Sequence, residues 1–202
     1  GAVFVATPDE EIFNLVNENG GKAILTKQDH SSGSDRIYEV YVKELKNKVD
    51  IIINLQGDMP NIKAETILML EKFMRNNDCD IGTLASHIKN KHEIIDPNIV
   101  KVNTNKPLKI DDFSDVKDFF RTKKNIDNEQ IYHHIGIYAF TNIALTKYVK
   151  LERSKLEIER NLEQMRAMEN NFIVKAGLCK SQTLGVDTEK DLEKIKREMN
   201  WT

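Results

Sequence analysis

The sequence predicts an α/β fold in which a mostly parallel sheet carries helices on both faces. One observation is the isoleucine-rich segment 49–55, because a short run of β-branched residues is typical of a strand buried on both sides. The other is the order of patterns near the start, where apolar segments 3–6 and 23–26 flank an amphipathic helical segment, as in a βαβ unit. We therefore predict that residues 49–55 form a central strand.

The remaining elements continue this alternation. Hydrophobic periodicity predicts helices at 37–45, 64–74, 154–168 and 188–199, and strands at 81–85, 99–102, 133–140 and 173–178. Ser154 and Glu157 have the spacing of a capping box at the start of the third of these helices. Residues 103–131 are highly charged and form a predicted excursion, either a surface insertion with one amphipathic turn or a segment that reaches across a cleft or a dimer partner.

The composition excludes several classes of protein. The 202 residues suffice for one domain, and the 30 basic residues against 32 acidic ones form no basic block of the kind that general nucleic-acid binding needs. Cys79 and Cys179 lie too far apart for a CxxC metal site and predict no disulfide framework, which favours a reducing cytoplasm. No apolar run approaches about 18 residues, so neither a membrane span nor a signal peptide is indicated.

Asp58 is the first candidate site residue, because it follows the predicted central strand. Gly57 permits a sharp turn and Pro60 cannot continue a ladder, so Asp58 should emerge just past the carboxyl end of the strand. Open α/β sheets bind their ligands at that edge. The alternative is an ordinary acidic turn residue.

The loop before the helix at 37–45 is the second candidate. Ser32, Gly33 and Arg36 could hold a nucleotide there, although the same residues are also those of an ordinary serine-capped helix start. Arg121, which follows two phenylalanines, is the most suggestive polar residue of the charged excursion.

Three further patterns place polar residues where a ligand could meet them. The period of two puts His134 and Tyr138 on one face of a strand, as the floor of a polar pocket or, alternatively, with the histidine in the core. Glu163 and Gln164 border the apolar stripe of the helix at 154–168, where solvent-facing side chains are the plainer interpretation. Asp187 precedes a helix capped by Thr188, either as a second metal carboxylate or as a partner of the helix dipole.

Five short motifs combine these residues in one order along the chain. They are His30-Ser31-Ser32-Gly33-Ser34-Asp35-Arg36, Gln56-Gly57-Asp58-Met59-Pro60, His134-Ile135-Gly136-Ile137-Tyr138, Leu162-Glu163-Gln164-Met165-Arg166 and Gly185-Val186-Asp187-Thr188. Each motif is weak alone, but the five in order are specific and span nearly the whole chain. Together they resemble the 3-deoxy-manno-octulosonate cytidylyltransferase family, the CMP-Kdo synthetases.

The resemblance implies a Rossmann-like nucleotide-diphospho-sugar transferase fold and a cytoplasmic homodimer. Such an enzyme makes CMP-Kdo and pyrophosphate from CTP and 3-deoxy-manno-octulosonate (Kdo) for lipopolysaccharide. Carried over by motif, Asp58 and Asp187 would be catalytic and hold Mg²⁺, and Ser32, Gly33 and Arg36 would contact the nucleotide. The sugar pocket would be lined by Gln56, Arg121, His134, Tyr138, Glu163 and Gln164.

The sequence departs from the family pattern in three places. The family's opening strand and basic CTP loop have no counterpart before Val3, so residues 1–202 are expected to form one domain that is incomplete at its N-terminus and turns over CTP poorly as it stands. Met59 replaces a usual glutamate, and residues 105–121 differ from the family's stretch. The alternatives are another CMP-sugar synthetase, of the sialic-acid type, and a non-catalytic dimeric protein that binds nucleotide or sugar.

Overall fold

The computed structural model of the chain describes residues 1–110, 112–123, 129–179, 185–186 and 188–200. Its strands are β1 (Val5–Thr7), β2 (Ala23–Leu25), β3 (Ile51–Asn54), β4 (Ile81–Ser86), β5 (Lys101–Thr104), β6 (Phe113–Phe120), β7 (Gln130–Thr141) and β8 (Val174–Leu178). Its helices are α1 (Glu10–Glu18), α2 (Gly33–Val40, extended by a π-helical turn, Tyr41–Leu45), α3 (Ala64–Asn76), α4 (Lys91–Ile95), α5 (Asn142–Tyr148), α6 (Lys155–Arg160), α7 (Gln164–Glu169) and α8 (Glu189–Glu198). β1 and β2 are parallel, which confirms the predicted βαβ unit.

The main sheet is mixed, so the prediction of a mostly parallel sheet is wrong. Its six strands follow the order β3-β7-β4-β8-β6-β5. β4 and β8 are parallel, but β7 runs antiparallel between β3 and β4, which leaves β3 at one end of the strand order instead of at its centre. Both faces of β3 are still covered, since Ile52 packs into one apolar cluster and Ile51 and Ile53 against the other. An apolar run therefore indicates that both faces of a strand are covered, but it does not indicate whether the neighbouring strands are parallel or antiparallel.

Five strands close into a ring. β5 pairs with β6 and also with the first residues of β7, so that successive pairs lead from β7 through β4, β8, β6 and β5 back to β7. β6 lies inside the charged segment 103–131, and the sequence pattern did not predict it. Phe119 and Phe120 are buried, whereas Asp115 and Lys117 of the same strand are exposed. Apolar and charged residues are therefore mixed along β6 without the alternation that predicts a strand.

Helices cover both faces of the main sheet, as predicted. α3 packs against one face through Leu70 and Met74, and α5 and α7 pack against the other through Leu145, Tyr148 and Met165. None of the helices in the described part of the chain is both long and apolar enough to cross a membrane.

The helix predicted over 154–168 is divided into α6 and α7. The capping box at its start is confirmed, since Ser154 and Glu157 each bond the other's backbone amide. Asn161 then takes the left-handed conformation, with φ of 51°, and ends α6. Glu163 and Gln164 consequently lie at the start of α7, where the chain turns back toward the sheet, and not on a continuous helix surface.

Candidate active site

The N-terminus of α2 lies against the loop that follows β3. Ser32 caps α2, and its hydroxyl accepts a hydrogen bond from the Asp35 amide at 3.2 Å. Gly33 approaches the β3 loop so closely that a Cβ atom at this position would stand 2.9 Å from Nε2 of Gln56. The structure therefore brings Ser32, Gly33 and Gln56 together, and a side chain at position 33 would have to displace the amide of Gln56.

Arg36 lies one turn further along α2 and fastens the loop before that helix. Its Nη1 donates hydrogen bonds to Thr26 Oγ1 at 2.6 Å and to the Lys27 carbonyl at 2.8 Å, and its Nη2 donates to the Gln28 carbonyl at 3.4 Å. The guanidinium thus orders the loop that leads to Ser32.

Asp58 occupies the turn after β3, at the carboxyl end of the strand as predicted, and is exposed. Its backbone carbonyl accepts a hydrogen bond from the amide of Val186 at 2.8 Å. Asp187, the other predicted metal ligand, lies outside the described residues. The contact nevertheless shows that the chain reaches the Asp58 turn immediately before Asp187.

The described residues contain no group of three or more His, Cys, Asp or Glu side chains that could hold a metal ion. A Mg²⁺ site does not require three such side chains, because the ion is usually held by one or two carboxylates together with substrate phosphates and water. An exposed carboxylate at the edge of the sheet, beside the chain that leads to a second aspartate, fits that mode of binding.

His134 and Tyr138 lie on the same face of β7, as predicted. Their ring centroids are 5.4 Å apart, and Phe119 packs edge-on against His134 with a centroid distance of 5.1 Å. Between Ile135 and Tyr138 the pairing with β4 is interrupted by two residues without a β4 partner. Because the interruption is two residues long, the side chains on either side of it keep the same alternation between the two faces of β7, and His134 and Tyr138 remain on one face.

Burial determines the protonation of both side chains. His134 is 7% exposed, and burial together with the neighbouring His133 lowers its pKa to about 3, so the imidazole is neutral at physiological pH. Burial and the charge of Glu163 raise the pKa of Tyr138 well above 10, which keeps its hydroxyl protonated.

A narrow cavity, about the size of one water molecule, lies between α2, β7, α5 and α7. Its polar lining comes from Ser34, Tyr138, Tyr148, Glu163 and Gln164. Glu163 Oε2 and Ser34 Oγ are buried there, and neither atom has a hydrogen-bond partner of good geometry among the described residues. Burial raises the pKa of Glu163, although polar groups of Ser32 and Ser34 oppose the shift. Unpaired buried groups of this kind are costly unless a ligand satisfies them.

Glu163 and Gln164 are therefore not solvent-facing helix residues. Gln164 is 8% exposed, and both residues share the cavity with Tyr138. The break at Asn161 turns this segment inward, which a continuous apolar stripe in the sequence could not indicate.

Arg121 is tied to a different part of the sheet. It follows β6, and its Nη1 donates hydrogen bonds to the carbonyls of Pro97 at 3.1 Å and Asn98 at 3.2 Å, in the turn after α4. Arg121 is not among the residues that line the cavity. Phe119, two residues earlier at the end of β6, packs against His134, which is another of the predicted site residues.

Sequence reasoning missed Arg166, the largest fully buried side chain among those described. Its guanidinium donates two hydrogen bonds to Glu157, at 2.8 and 2.7 Å, and lies 4.6 Å from the centroid of Tyr148. Asp35 of α2 is 3.6 Å away, and the Tyr148 hydroxyl donates to the carbonyl of Glu163 at 2.8 Å. Arg166, in α7, thus contacts α6 through Glu157 and α2 through Asp35. Its place in the motif Leu162-Glu163-Gln164-Met165-Arg166 and the capping box that contains Glu157 were the sequence signals near it.

Asn54 is a second residue that the sequence analysis passed over. It ends β3, pairs with Tyr138 across the sheet and is 3% exposed. Its Nδ2 is buried without a hydrogen-bond partner, 3.5 Å from the position of a Cβ on Gly33. The sequence feature that could have identified Asn54 as a candidate is its position at the end of an apolar run, two residues before Gln56.

The site has two neighbouring parts that suit two different groups. The N-terminus of α2 presents backbone amides of the kind that bind a phosphate, and the small cavity beside Tyr138 contains the buried carboxylate of Glu163, which can accept a hydrogen bond from a hydroxyl. A mixed α/β sheet with these features fits the class of nucleotidyltransferases, to which the comparisons below assign the chain.

Comparison with known proteins agrees with this class. A family model described as Cytidylyltransferase matches residues 1–192. The 3-deoxy-manno-octulosonate cytidylyltransferase of Bartonella tribocorum is 39% identical over 198 residues, covering 98% of this chain and 81% of the relative, and that of Thermodesulfovibrio yellowstonii is 40% identical over 213 residues with the same coverage. The chain therefore belongs to the cytidylyltransferase family, and its relatives place it among the 3-deoxy-manno-octulosonate cytidylyltransferases.

Solved structures give the same grouping. A CMP:2-keto-3-deoxy-manno-octonic acid synthetase complexed with CTP is similar with a TM-score of 0.87 and 34% identity, over 99% of this chain and 81% of the other. The 4-diphosphocytidyl-2C-methyl-D-erythritol synthase of Anaerococcus prevotii, at a TM-score of 0.61 and 14% identity over 98% of this chain and 81% of the other, shares the fold.

Proposed function

We propose that this protein is a CMP-Kdo synthetase, which forms CMP-Kdo and pyrophosphate from CTP and Kdo for lipopolysaccharide biosynthesis. The observation that carries the proposal is the similarity of almost the entire chain to enzymes of that name, at about 40% identity. In the reaction the anomeric hydroxyl of the sugar attacks the α-phosphorus of CTP. A bond from the sugar oxygen to phosphorus forms, the bond to pyrophosphate breaks, and the hydroxyl proton is released.

The start of α2 is the proposed nucleotide site. Gly33 places the first turn of the helix against the Gln56 side chain, and Ser32 offers a hydroxyl at the amide-rich end of the helix. Arg36 holds the preceding loop by three hydrogen bonds, so its part is to order the nucleotide loop as well as to supply positive charge.

The sugar site that we propose includes Gln56, Arg121, His134, Tyr138, Glu163 and Gln164. Kdo carries several hydroxyls, which both donate and accept hydrogen bonds. The unpaired Glu163 Oε2 is an acceptor for one of them, and the neutral His134 and protonated Tyr138 add uncharged partners. Arg121 is the member of this set with the weakest structural support, because its described hydrogen bonds go to the turn after α4.

Asp58 and Asp187 are the residues that would hold Mg²⁺. Bound there, the ion would offset the negative charge of the phosphate oxygens during the transfer. The protein's own contribution is to place one carboxylate at the carboxyl end of β3 and to fasten the neighbouring chain to it through the bond from Val186.

Pyrophosphate release by the purified full-length protein tests the proposed reaction. We expect release with CTP and Mg²⁺ that depends on Kdo. Release with sialic acid in place of Kdo would identify another CMP-sugar synthetase. Binding of CTP or Kdo in a calorimeter with no release under any of these conditions would indicate a protein that binds without turnover.

Glu163 and Gln164 should affect the sugar far more than the nucleotide. In Glu163→Gln and Gln164→Ala we expect the KM for Kdo to rise about 10-fold or more, because leaving a polar group of the site unpaired costs about 1–3 kcal/mol. The KM for CTP should stay within about twofold. Glu159→Gln, on the exposed side of α6, is the matched control and should leave both values unchanged. An equal rise of both KM values would contradict the assignment of these residues to the sugar.

A homodimer in the cytoplasm completes the proposal. The dimer rests on the family resemblance, and light scattering of the purified protein tests it. The compartment is supported by Cys79 and Cys179, which are both buried and form no disulfide with each other.

A further inference from the structure

Thr83 contacts His134, one of the residues of the proposed sugar site. It is a fully buried residue of β4 and pairs with Tyr138 across the sheet. Its Oγ1 is 3.0 Å from Nε2 of His134 and 2.7 Å from the carbonyl oxygen of Ile137. A longer contact of 3.4 Å reaches the carbonyl oxygen of Ile135. These three partners share a hydroxyl that has a single proton.

The carbonyl groups determine where that proton lies. A carbonyl oxygen can only accept, so the 2.7 Å contact with Ile137 requires the Thr83 hydroxyl to donate. Both carbonyls flank Gly136, in the stretch where the pairing of β7 with β4 is interrupted. Once its proton points to Ile137, the Thr83 oxygen offers His134 only lone pairs. Nε2 of His134 must then carry the hydrogen in their shared bond.

We propose that Thr83 is a positioning residue that holds His134 as the Nε2–H tautomer, so that its Nδ1 accepts a hydrogen bond from a sugar hydroxyl. A neutral imidazole has one donor and one acceptor nitrogen, and burial keeps His134 neutral. The assignment of the Nδ1 ligand rests on the proposed function, whereas the tautomer is a property of the protein without substrate. An acceptor at this position selects a hydroxyl and disfavours a carboxylate or phosphate oxygen.

Nitrogen-15 NMR of the ligand-free protein, with histidine labelled, tests the tautomer. His134→Gln identifies its signals by their loss. In the unsubstituted protein we expect a protonated Nε2 and an unprotonated Nδ1. Thr83→Val has the same shape without the hydroxyl and should lose this single tautomer, while Thr83→Ser keeps the hydroxyl and should retain it. A proton on Nδ1 in the unsubstituted protein, or an unchanged tautomer in Thr83→Val, would overturn the inference.

Steady-state kinetics tests the consequence for the sugar. In Thr83→Val we expect the KM for Kdo to rise about 10-fold, the worth of one hydrogen bond, with the KM for CTP within about twofold. Thr83→Ser should restore the KM for Kdo. A purely structural defect would instead lower kcat and raise both KM values, and that pattern would refute the positioning role.

The two measurements separate this inference from the proposed function. If the unsubstituted protein does not use Kdo, the proposed function fails, and the NMR result still decides whether Thr83 sets the tautomer. If Kdo is used and Thr83→Val changes the tautomer but not the KM for Kdo, the function stands and the role of Nδ1 in sugar binding is wrong.

Discussion

Glu157→Ala should lower the free energy of unfolding by about 3–5 kcal/mol, which is the usual cost of removing one partner from a buried ion pair. Glu157 is 1% exposed and Arg166 is 2% exposed, so the substitution leaves a buried guanidinium without its bidentate acceptor. Arg166 then retains Asp35 at 3.6 Å, which is too distant for a hydrogen bond. Urea unfolding followed by circular dichroism measures the difference.

Glu71→Ala is the control for this experiment. Glu71 and Arg75 form an ion pair on α3 with the same chemistry but with far more solvent around it, so its loss should cost less than about 1 kcal/mol. A double variant, Glu157→Leu with Arg166→Met, should be more stable than Glu157→Ala, because it removes both charges together. A loss of less than about 1 kcal/mol in Glu157→Ala would show that Arg166 finds water or another acceptor.

Acid should reduce the stabilisation that this pair provides. Burial opposes the ionisation of Glu157, but the hydrogen bonds and charge of Arg166 outweigh it and lower the pKa below its ordinary value of 4.5. The pair therefore contributes fully above the pKa of the unfolded chain and loses its contribution as the pH falls through the lower pKa of the folded state. The difference between the unsubstituted protein and Glu157→Ala should be constant above pH 5 or so and shrink below pH 4 or so.

Asp58→Asn should reduce the Mg²⁺-dependent rate by at least about 100-fold, since the charge stabilisation that a bound metal supplies is worth several kcal/mol. The amide has the same shape and keeps the backbone carbonyl that accepts from Val186, so the fold should be retained, which circular dichroism checks. Pyrophosphate release measured against Mg²⁺ concentration is the readout.

Asp50→Asn provides the matched control, because Asp50 is an exposed aspartate immediately before the other end of β3. It should leave both the rate and its Mg²⁺ dependence unchanged. A rate within about fivefold of the unsubstituted enzyme in Asp58→Asn would mean that Asp58 is only an acidic turn residue.

Local patterns correctly predicted where several of the candidate residues lie in the fold. The alternation of residues along β7 placed His134 and Tyr138 on one face, and the order Gly57, Asp58, Pro60 placed the aspartate at the carboxyl end of β3. These predictions succeed because they depend on the geometry of a few neighbouring residues.

Features that depend on contacts between residues far apart in the chain could not be predicted from the sequence. The antiparallel insertion of β7 beside β3 and the burial of Arg166 both depend on elements far apart in the chain. The inward turn at Glu163 depends on one left-handed residue, Asn161, within an apolar stripe that continues across it. The residues responsible for each feature are present in the sequence, but the distant residues that they contact cannot be identified from one sequence.

The closed ring of strands has a consequence for how the enzyme would grip its substrates. β7 carries His134 and Tyr138, and it is hydrogen-bonded to β3, β4 and β5. A strand fixed to three neighbours opens only when those pairings break together, so its amides should be among the slowest in the protein to exchange with solvent. The strand that carries these two side chains is therefore preorganised, and any closure over the substrates must come from the loops around Ser32 and Asp58, which lie outside the strand pairing.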